Sequence, residues 1–404
     1  MPRPLGTVLL LLLLPACCLA LAAPPKPTYQ SPELTPWPQP LRATNGTASL
    51  GIVETLLRPT TASKSAILRG GIERIQDALG AGGDTPTLPT SPLPTPPTLR
   101  SAQHATLEVV VKSDSEELSA ETDESYSLTV SVDGAAKLTA PTVFGALHGL
   151  QSLLQLFELP PPGGAAQPHC RYLLRGLPWQ IDDAPRFSHR AMLLDTSRHW
   201  LPMAAIQNHI IAMEFNKLSV LHWHIVDFQA FPFRSEAMPA LVKGAYSEHE
   251  TYTAADVSAV VKFAKERGVR VMMEIDTPGH SASWAAGYPE AVAACPSQTP
   301  GTAALDPSSN VTYEVVRALL EEVGKLAPDS FFHLGGDEVR FACWNESSRV
   351  KAFMRQRGFG CCEDANFAKL EQDYENRLLQ IAAEVLPGRT IMLYQEVYDN
   401  NVKW

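Results

Sequence analysis

The chain has 404 residues, 45% hydrophobic and 19% charged, a make-up that excludes a disordered or fibrous protein and leaves room for two domains. Its formal net charge of −10 speaks against a nucleic-acid or anionic-membrane surface.

At the N-terminus, Arg3 precedes an apolar run from Val8 to Leu21 with small residues Ala20, Ala22 and Ala23 at its end. That layout predicts a signal peptide over residues 1–23, short for a spanning helix, and therefore entry into the secretory pathway, with a retained anchor as the alternative. No later stretch is long and apolar enough to cross a bilayer, so no membrane contact is expected after signal removal. Three sequons, at Asn45, Asn310 and Asn345, are candidate glycosylation sites. Cys17 and Cys18 leave with the signal; Cys170, Cys295, Cys343, Cys361 and Cys362 are an odd number and cannot all pair within one chain.

Residues 24–185 read as a small α+β domain. Leu68, Ile72, Ile75 and Leu79 recur at helical spacing, predicting a helix over Ser63–Leu79 that Gly80 ends. The Pro- and Thr-rich segment 85–98 can hold neither helix nor central strand and reads as a loop. Leu107–Lys112 is β-prone, and Tyr126, Leu128, Val130 and Val132 alternate with polar residues up to a turn at Asp133-Gly134. Val143, Leu147, Leu150, Leu154 and Phe157 then mark a helix that stops at Pro160. No cluster of titratable residues in this region suggests chemistry.

Over residues 186–404 the pattern becomes strand, polar residues, helix, five times over. The strands are Ala191–Asp195, Lys217–Val226, Val269–Ile275, Phe331–Leu334 and Arg389–Leu393. Thr253 and Asp256 make a capping pair for one of the helices between them. Arg198, Asp227, Asp276, His280, Asp337, Glu338 and Glu396 all fall just past strand C-termini, which converge on one face of a parallel barrel. The predicted fold class is α/β: a (β/α)8 TIM-barrel-type catalytic domain, of which about five units are present, after the small α+β domain. A doubly wound sheet is the structural alternative, but no glycine-rich turn follows the first strand.

In Phe331–Val339, two glycines stand before two adjacent acids, Asp337 and Glu338. Neighbouring side chains normally leave a strand on opposite faces, but Gly335-Gly336 permits a bent backbone that delivers both acids to one pocket. One as anion and one as proton donor would suit glycoside hydrolysis. A competing reading is a metal-dependent TIM-barrel hydrolase, since His222 and His224 form a His-x-His pair. However, Trp223, Ile225 and Asp227 share the opposite face of that strand. With Asp227 facing the pocket, the two histidines are expected to face the helical layer, and no metal or cofactor is expected.

His333–Glu338, Leu193–His199, His222–Asp227 and Asp276–His280 together resemble the motifs of family 20 glycoside hydrolases, the β-N-acetylhexosaminidases of lysosomal or secreted eukaryotic type. The resemblance implies retaining, substrate-assisted release of terminal non-reducing N-acetyl-D-hexosamine from β-glycosides of oligosaccharides or glycoconjugates. It implies Glu338 as acid/base, Asp337 as the anion orienting the acetamido group, and Asp227, His280 and Asp276 as their supports. It further implies substrate contacts from Arg198, Tyr394 and Glu396, a disulfide between Cys295 and Cys343, and a lysosomal, vacuolar or extracellular destination. Homo- and heterodimers are both open. Phe228 stands where many relatives carry a second aspartate, and Tyr394 where a tryptophan is usual. Five units against the eight of a complete barrel imply a C-terminally truncated member. The alternative reading is an impaired fragment that at most binds carbohydrate.

Overall fold

Strand β1 (Arg42–Ile52) opens the first sheet of the computed structural model, which describes Pro36, Pro38 and residues 40–52, 57–80, 100–102, 105–159, 171–295 and 303–399. The expected signal peptide, the segment 85–98 and Cys170 lie outside the described residues. After β1 come β2 (Arg58–Thr61), α1 (Ala66–Gly80), β3 (Arg100–Ala102), β4 (Thr106–Val111), β5 (Tyr126–Val130), β6 (Ala135–Ala140), α2 (Val143–Gln155), β7 (Phe157–Glu158) and β8 (Tyr172–Asp183). Their sheet order is β2-β4-β6-β5-β8-β1-β3, with β7 on β8. The alternating burial of β5 points Tyr126, Leu128 and Val130 inward, and Gly134 turns the chain into β6 with φ +85°. Ser65 caps α1 by accepting from the Leu68 N–H. The apolar stripe of α1 and most of α2 bury Leu68, Ile72, Leu147 and Leu150 against Leu107, Leu128 and Ile181.

Asn45 departs from the expected glycosylation pattern. Its side chain lies within β1, the residue is 8% exposed, and a Cβ on Gly176 would come 2.8 Å from its Nδ2. Asn310 and Asn345, by contrast, are exposed.

The second sheet is parallel throughout, with order β13-β12-β11-β10-β9. In chain order its elements are β9 (Ala191–Asp195), α3 (Met203–Phe215), β10 (Val220–Val226), α4 (Ala254–Lys265), β11 (Arg270–Ile275), α5 (Asn310–Leu326), β12 (Phe331–His333), α6 (Phe341–Glu346), α7 (Ser348–Gln356), α8 (Asp364–Val385), β13 (Thr390–Met392) and α9 (Gln395–Asp399). The capping box of Thr253 and Asp256 forms as the spacing predicts. Trp223 and Ile225 of β10 pack outward into one core with Ile206, Ile210, Val257 and Val260 of the helices. These are consecutive units of a TIM-barrel-type α/β domain. Among the described residues, no helix is long and apolar enough to cross a membrane.

Two covalent links brace this half. Cys295 bonds Cys343 across 48 residues, tying the segment after β11 to α6, and Cys361 bonds its neighbour Cys362 ahead of α8.

The two sheets meet through buried charges at the N-terminal ends of the barrel strands. Two residues past the end of α3, Lys217 stands at φ +56°, while the Leu218 N–H reaches back to the Met213 carbonyl. Lys217 sends its ammonium into the first sheet, donating to Tyr126 Oη (2.9 Å), Ser152 Oγ (2.8 Å) and Asp183 Oδ2 (2.9 Å). Arg190 donates to both oxygens of Glu124, and Arg74 to Glu214.

Candidate active site

The strand register lays down the site. Asp195, His224, Glu274, His333 and Met392 are successive partners across the five strands, so they form one row on the inner face. Beyond this row each strand ends in polar residues.

On β10 the ladder slips: His224 pairs with Glu274, but Val226, two residues on, pairs with Ile275. This bulge resets the alternation, so His222, His224 and Asp227 all reach the interior. The expectation that both histidines face the helical layer is therefore corrected. His222 hydrogen-bonds Glu274 (2.6 Å) and His224 lies 3.5 Å from Asp276, both buried.

After β9, Asp195 accepts from the backbone of Ser197 and Arg198 (2.9 Å each) and from Arg198 Nη1 (2.8 Å). The other arm of the Arg198 fork meets Asp227 at 2.9 Å. Asp227 is fully buried and faces His280 Nδ1 at 3.2 Å. The far ring nitrogen, Nε2, lies 4.0 Å from Asp276, 3.8 Å from Asp337 and 3.6 Å from Glu338. One imidazole thus joins the end of β10 to the acids after β12.

Those acids arrive there because of the backbone. Gly335 (φ +73°), Gly336 (φ +101°) and Glu338 (φ +53°) are left-handed, so the chain turns sharply and both carboxylates reach one side. Asp276 holds the turn from behind, its Oδ1 accepting from the Gly336 N–H at 3.1 Å. Asp337 is the deeper acid, its side chain 26% exposed against 61% for Glu338.

Electrostatics divides the cluster. Burial opposes a charge on His280, but the hydrogen bond with Asp227 and the nearby carboxylates raise its pKa to about 9. His224 is raised to about 9 as well: burial again opposes the charge, and Asp276, Glu274 and Asp195 outweigh it. Burial pushes Asp276 up to about 6, with His224 and His280 opposing. Burial also works against Glu274, yet the hydrogen bond with His222 and the other imidazoles around it hold it well below the usual carboxylate range.

Arg198, Asp227, Asp276, His280, Asp337 and Glu338 thus form one connected group. Tyr394 joins it from the end of β13, its hydroxyl 3.1 Å from Glu274. Glu396 is half-buried at the start of α9, and no ion pair among the described residues links it to the group. Sequence reading missed Asp195, Glu274 and His333. The available signal for Glu274 was its position two residues before Asp276, on the same strand face.

Comparison with known proteins agrees with this geometry. The description "Glycosyl hydrolase family 20, catalytic domain" matches residues 187–403, and "beta-acetyl hexosaminidase like" matches residues 34–156. Beta-hexosaminidase 1 of Arabidopsis thaliana is 39% identical over 348 residues, covering 83% of this chain and 61% of the relative. Beta-hexosaminidase subunit beta of Homo sapiens is 41% identical over 285 residues, covering 70% and 48%. The chain spans about half to three fifths of the length of these relatives. Among solved structures, a chitobiase of Flavobacterium johnsoniae superposes with a TM-score of 0.69 at 26% identity, over 90% of this chain and 52% of that one. A Streptomyces plicatus N-acetyl-beta-hexosaminidase, TM-score 0.64 at 24% identity over 91% and 66%, shares the fold. With the catalytic-domain match covering more than half of its residues, the chain belongs to glycosyl hydrolase family 20.

Proposed function

We propose that this chain carries the catalytic machinery of a β-N-acetylhexosaminidase, acting on terminal non-reducing N-acetyl-D-hexosamine in oligosaccharides or glycoconjugates. The observation that carries the reading is the placement of Asp337 and Glu338 within 3.8 Å of His280 Nε2, with His280 Nδ1 on buried Asp227. In the proposed reaction Glu338 gives its proton to the glycosidic oxygen as the bond to the anomeric carbon breaks. Asp337 accepts from the substrate's acetamido N–H and turns the acetamido oxygen onto that carbon, and its negative charge offsets the positive charge that develops. The oxazolinium so formed is opened by water, whose proton returns to the Glu338 carboxylate; two displacements give retention. His280 is oriented by Asp227, and Asp276 holds the turn. Arg198 offers its remaining donors to sugar hydroxyls, and Tyr394, with Glu396 further out, lines the pocket. This route replaces the enzyme nucleophile of two-carboxylate glycosidases with the substrate's own group.

The division into an α+β domain over 24–185 and a barrel domain over 186–404, and entry into the secretory pathway for a lysosomal, vacuolar or extracellular destination, belong to the same proposal. So does pairing with a like chain, since relatives are named as subunits alpha and beta.

A second reading, an impaired carbohydrate-binding fragment, is favoured by the 61% exposure of the Glu338 side chain and by Met192 (42%) and Leu193 (47%), which are exposed on β9. A general acid needs a dry pocket to hold its proton near neutrality. Hydrolysis of an aryl β-N-acetylglucosaminide by the wild-type chain and by Glu338→Gln separates the two. Turnover that Glu338→Gln lowers supports the enzyme; background turnover in both supports the fragment.

A further inference from the structure

Glu274 is fully buried near the C-terminal end of β11, one row below Asp276, and nothing in the proposed reaction uses it. Side chains from three other strands or strand ends converge on its carboxylate. His222 Nε2 meets Oε2 at 2.6 Å, and the Tyr394 hydroxyl donates to the same oxygen at 3.1 Å. His333 Nδ1 lies 3.2 Å from Oε1, and His224 Nε2 lies 3.8 Å from it. The rings touch one another as well, His222 and His333 with centroids 4.8 Å apart and His333 and Tyr394 with centroids 4.5 Å apart.

Two members of this group grip the turn that carries the acids. The Gly335 N–H donates to His333 Nδ1 at 3.0 Å, and the Tyr394 N–H donates to the Gly335 carbonyl at 2.9 Å. Since His333 Nδ1 accepts from Gly335, its ring proton is assigned to Nε2, and the ring must stay in one orientation to keep that bond. As filler alone, a buried carboxylate is a poor choice, because an apolar side chain of similar size avoids the desolvation cost.

We infer that Glu274 is a positioning residue: its carboxylate fixes His222 and Tyr394, the two rings that pack against His333, and through them both backbone bonds of Gly335, the first residue of the turn that aims Asp337 and Glu338. It touches no substrate and moves no proton in the reaction. The inference rests on the proposed reaction for its kinetic consequence, but the structural link from Glu274 to Gly335 stands apart from it.

The test uses Glu274→Gln in the full chain. The amide keeps the size of the acid but removes the charge that strengthens the bonds from His222 and Tyr394. Misplacement of reacting groups by about 1 Å costs on the order of 100-fold, so kcat on an aryl β-N-acetylglucosaminide should fall about 30- to 100-fold while KM moves less than about threefold. In chain labelled with 15N-glycine and 15N-histidine, the Gly335 amide and His333 ring signals should both shift. Tyr394→Phe, which removes one bond to the same carboxylate, should move the Gly335 signal in a well-folded protein even where Glu274→Gln does not fold. An unmoved Gly335 signal in the folded variants overturns the inference. Should the wild-type chain neither hydrolyse the glycoside nor bind a thiazoline analogue of the oxazolinium, the proposed reaction fails. The Gly335 and His333 signals then decide the inference alone.

Discussion

A Cβ placed on Gly335 would lie 1.7 Å from Oδ1 of Asp276, so the carboxylate occupies the space a side chain would need. The same carboxylate oxygen accepts from the Gly336 N–H, and Gly335 itself is left-handed. Gly335→Ala must therefore either push Asp276 off the turn or unbend the turn. We predict a loss of roughly 2–4 kcal/mol, from crowding and left-handed strain together, with loss of activity. Denaturant midpoints check the first and glycoside turnover the second; an alanine variant of wild-type stability would contradict the packing.

The two acids should fail differently. Losing a general acid typically costs about 10²–10⁴-fold, and the penalty shrinks when the leaving group departs without protonation. Glu338→Gln is thus expected to lose far more on an alkyl glycoside than on a nitrophenyl one. Asp337→Asn, acting on the acetamido group, should lose a similar factor on both. Equal leaving-group dependence in the two variants would reverse or void the assignment.

Stability should decline toward alkaline pH. His280 and His224 are raised to about 9 from an ordinary value of about 6.5. Their contribution is complete below about 6.5 and is lost as pH rises through about 9. Asp276, raised to about 6, favours the fold in its protonated form, a contribution complete below about 3.8 and lost as pH rises through 6. All three favour the acid side. Melting temperature is expected to drop between pH 6.5 and 9, with a shallower slope in His280→Gln; an unchanged slope would show that His280 does not carry the extra proton.

The Cys295–Cys343 link closes a loop of 48 residues and anchors α6, which follows the turn that carries Asp337 and Glu338. Cys343→Ser should cost about 2–4 kcal/mol, measured by calorimetry with and without reductant; the variant should then be insensitive to reductant at this site.

Much of the barrel half was legible because its strands are short apolar runs closed by polar residues. Ala191–Asp195 matches β9, and the other four strands match to within a few residues. Strand β1 escaped because Asn45-Gly46-Thr47 interrupts its apolar pattern, where the ladder to β8 also shifts register. Strand β8 escaped because Gly176 and Pro178 sit inside it. The meeting of both acids on one side was readable from glycine's conformational freedom only together with the polar residues that close the other strands, and their roles only from the family resemblance. The inward turn of His222 and His224 was not, since one bulged residue on β10 inverts every inference from alternation. Nor was Glu274, a lone acid in an apolar run whose partners come from distant strands.

Lys217 bears on the proposed reaction although it lies at the opposite end of β10 from Asp227. The seven residues of β10 make a rod about 20 Å long, gripped at one end by Tyr126, Ser152 and Asp183. A tilt of only about 3° at that grip swings the far end by about 1 Å, enough to cost on the order of 100-fold in rate. Substitutions at Lys217 or Asp183 would then present as catalytic lesions in a protein whose acids are intact. The first sheet acts as the mount that keeps the barrel strands on aim.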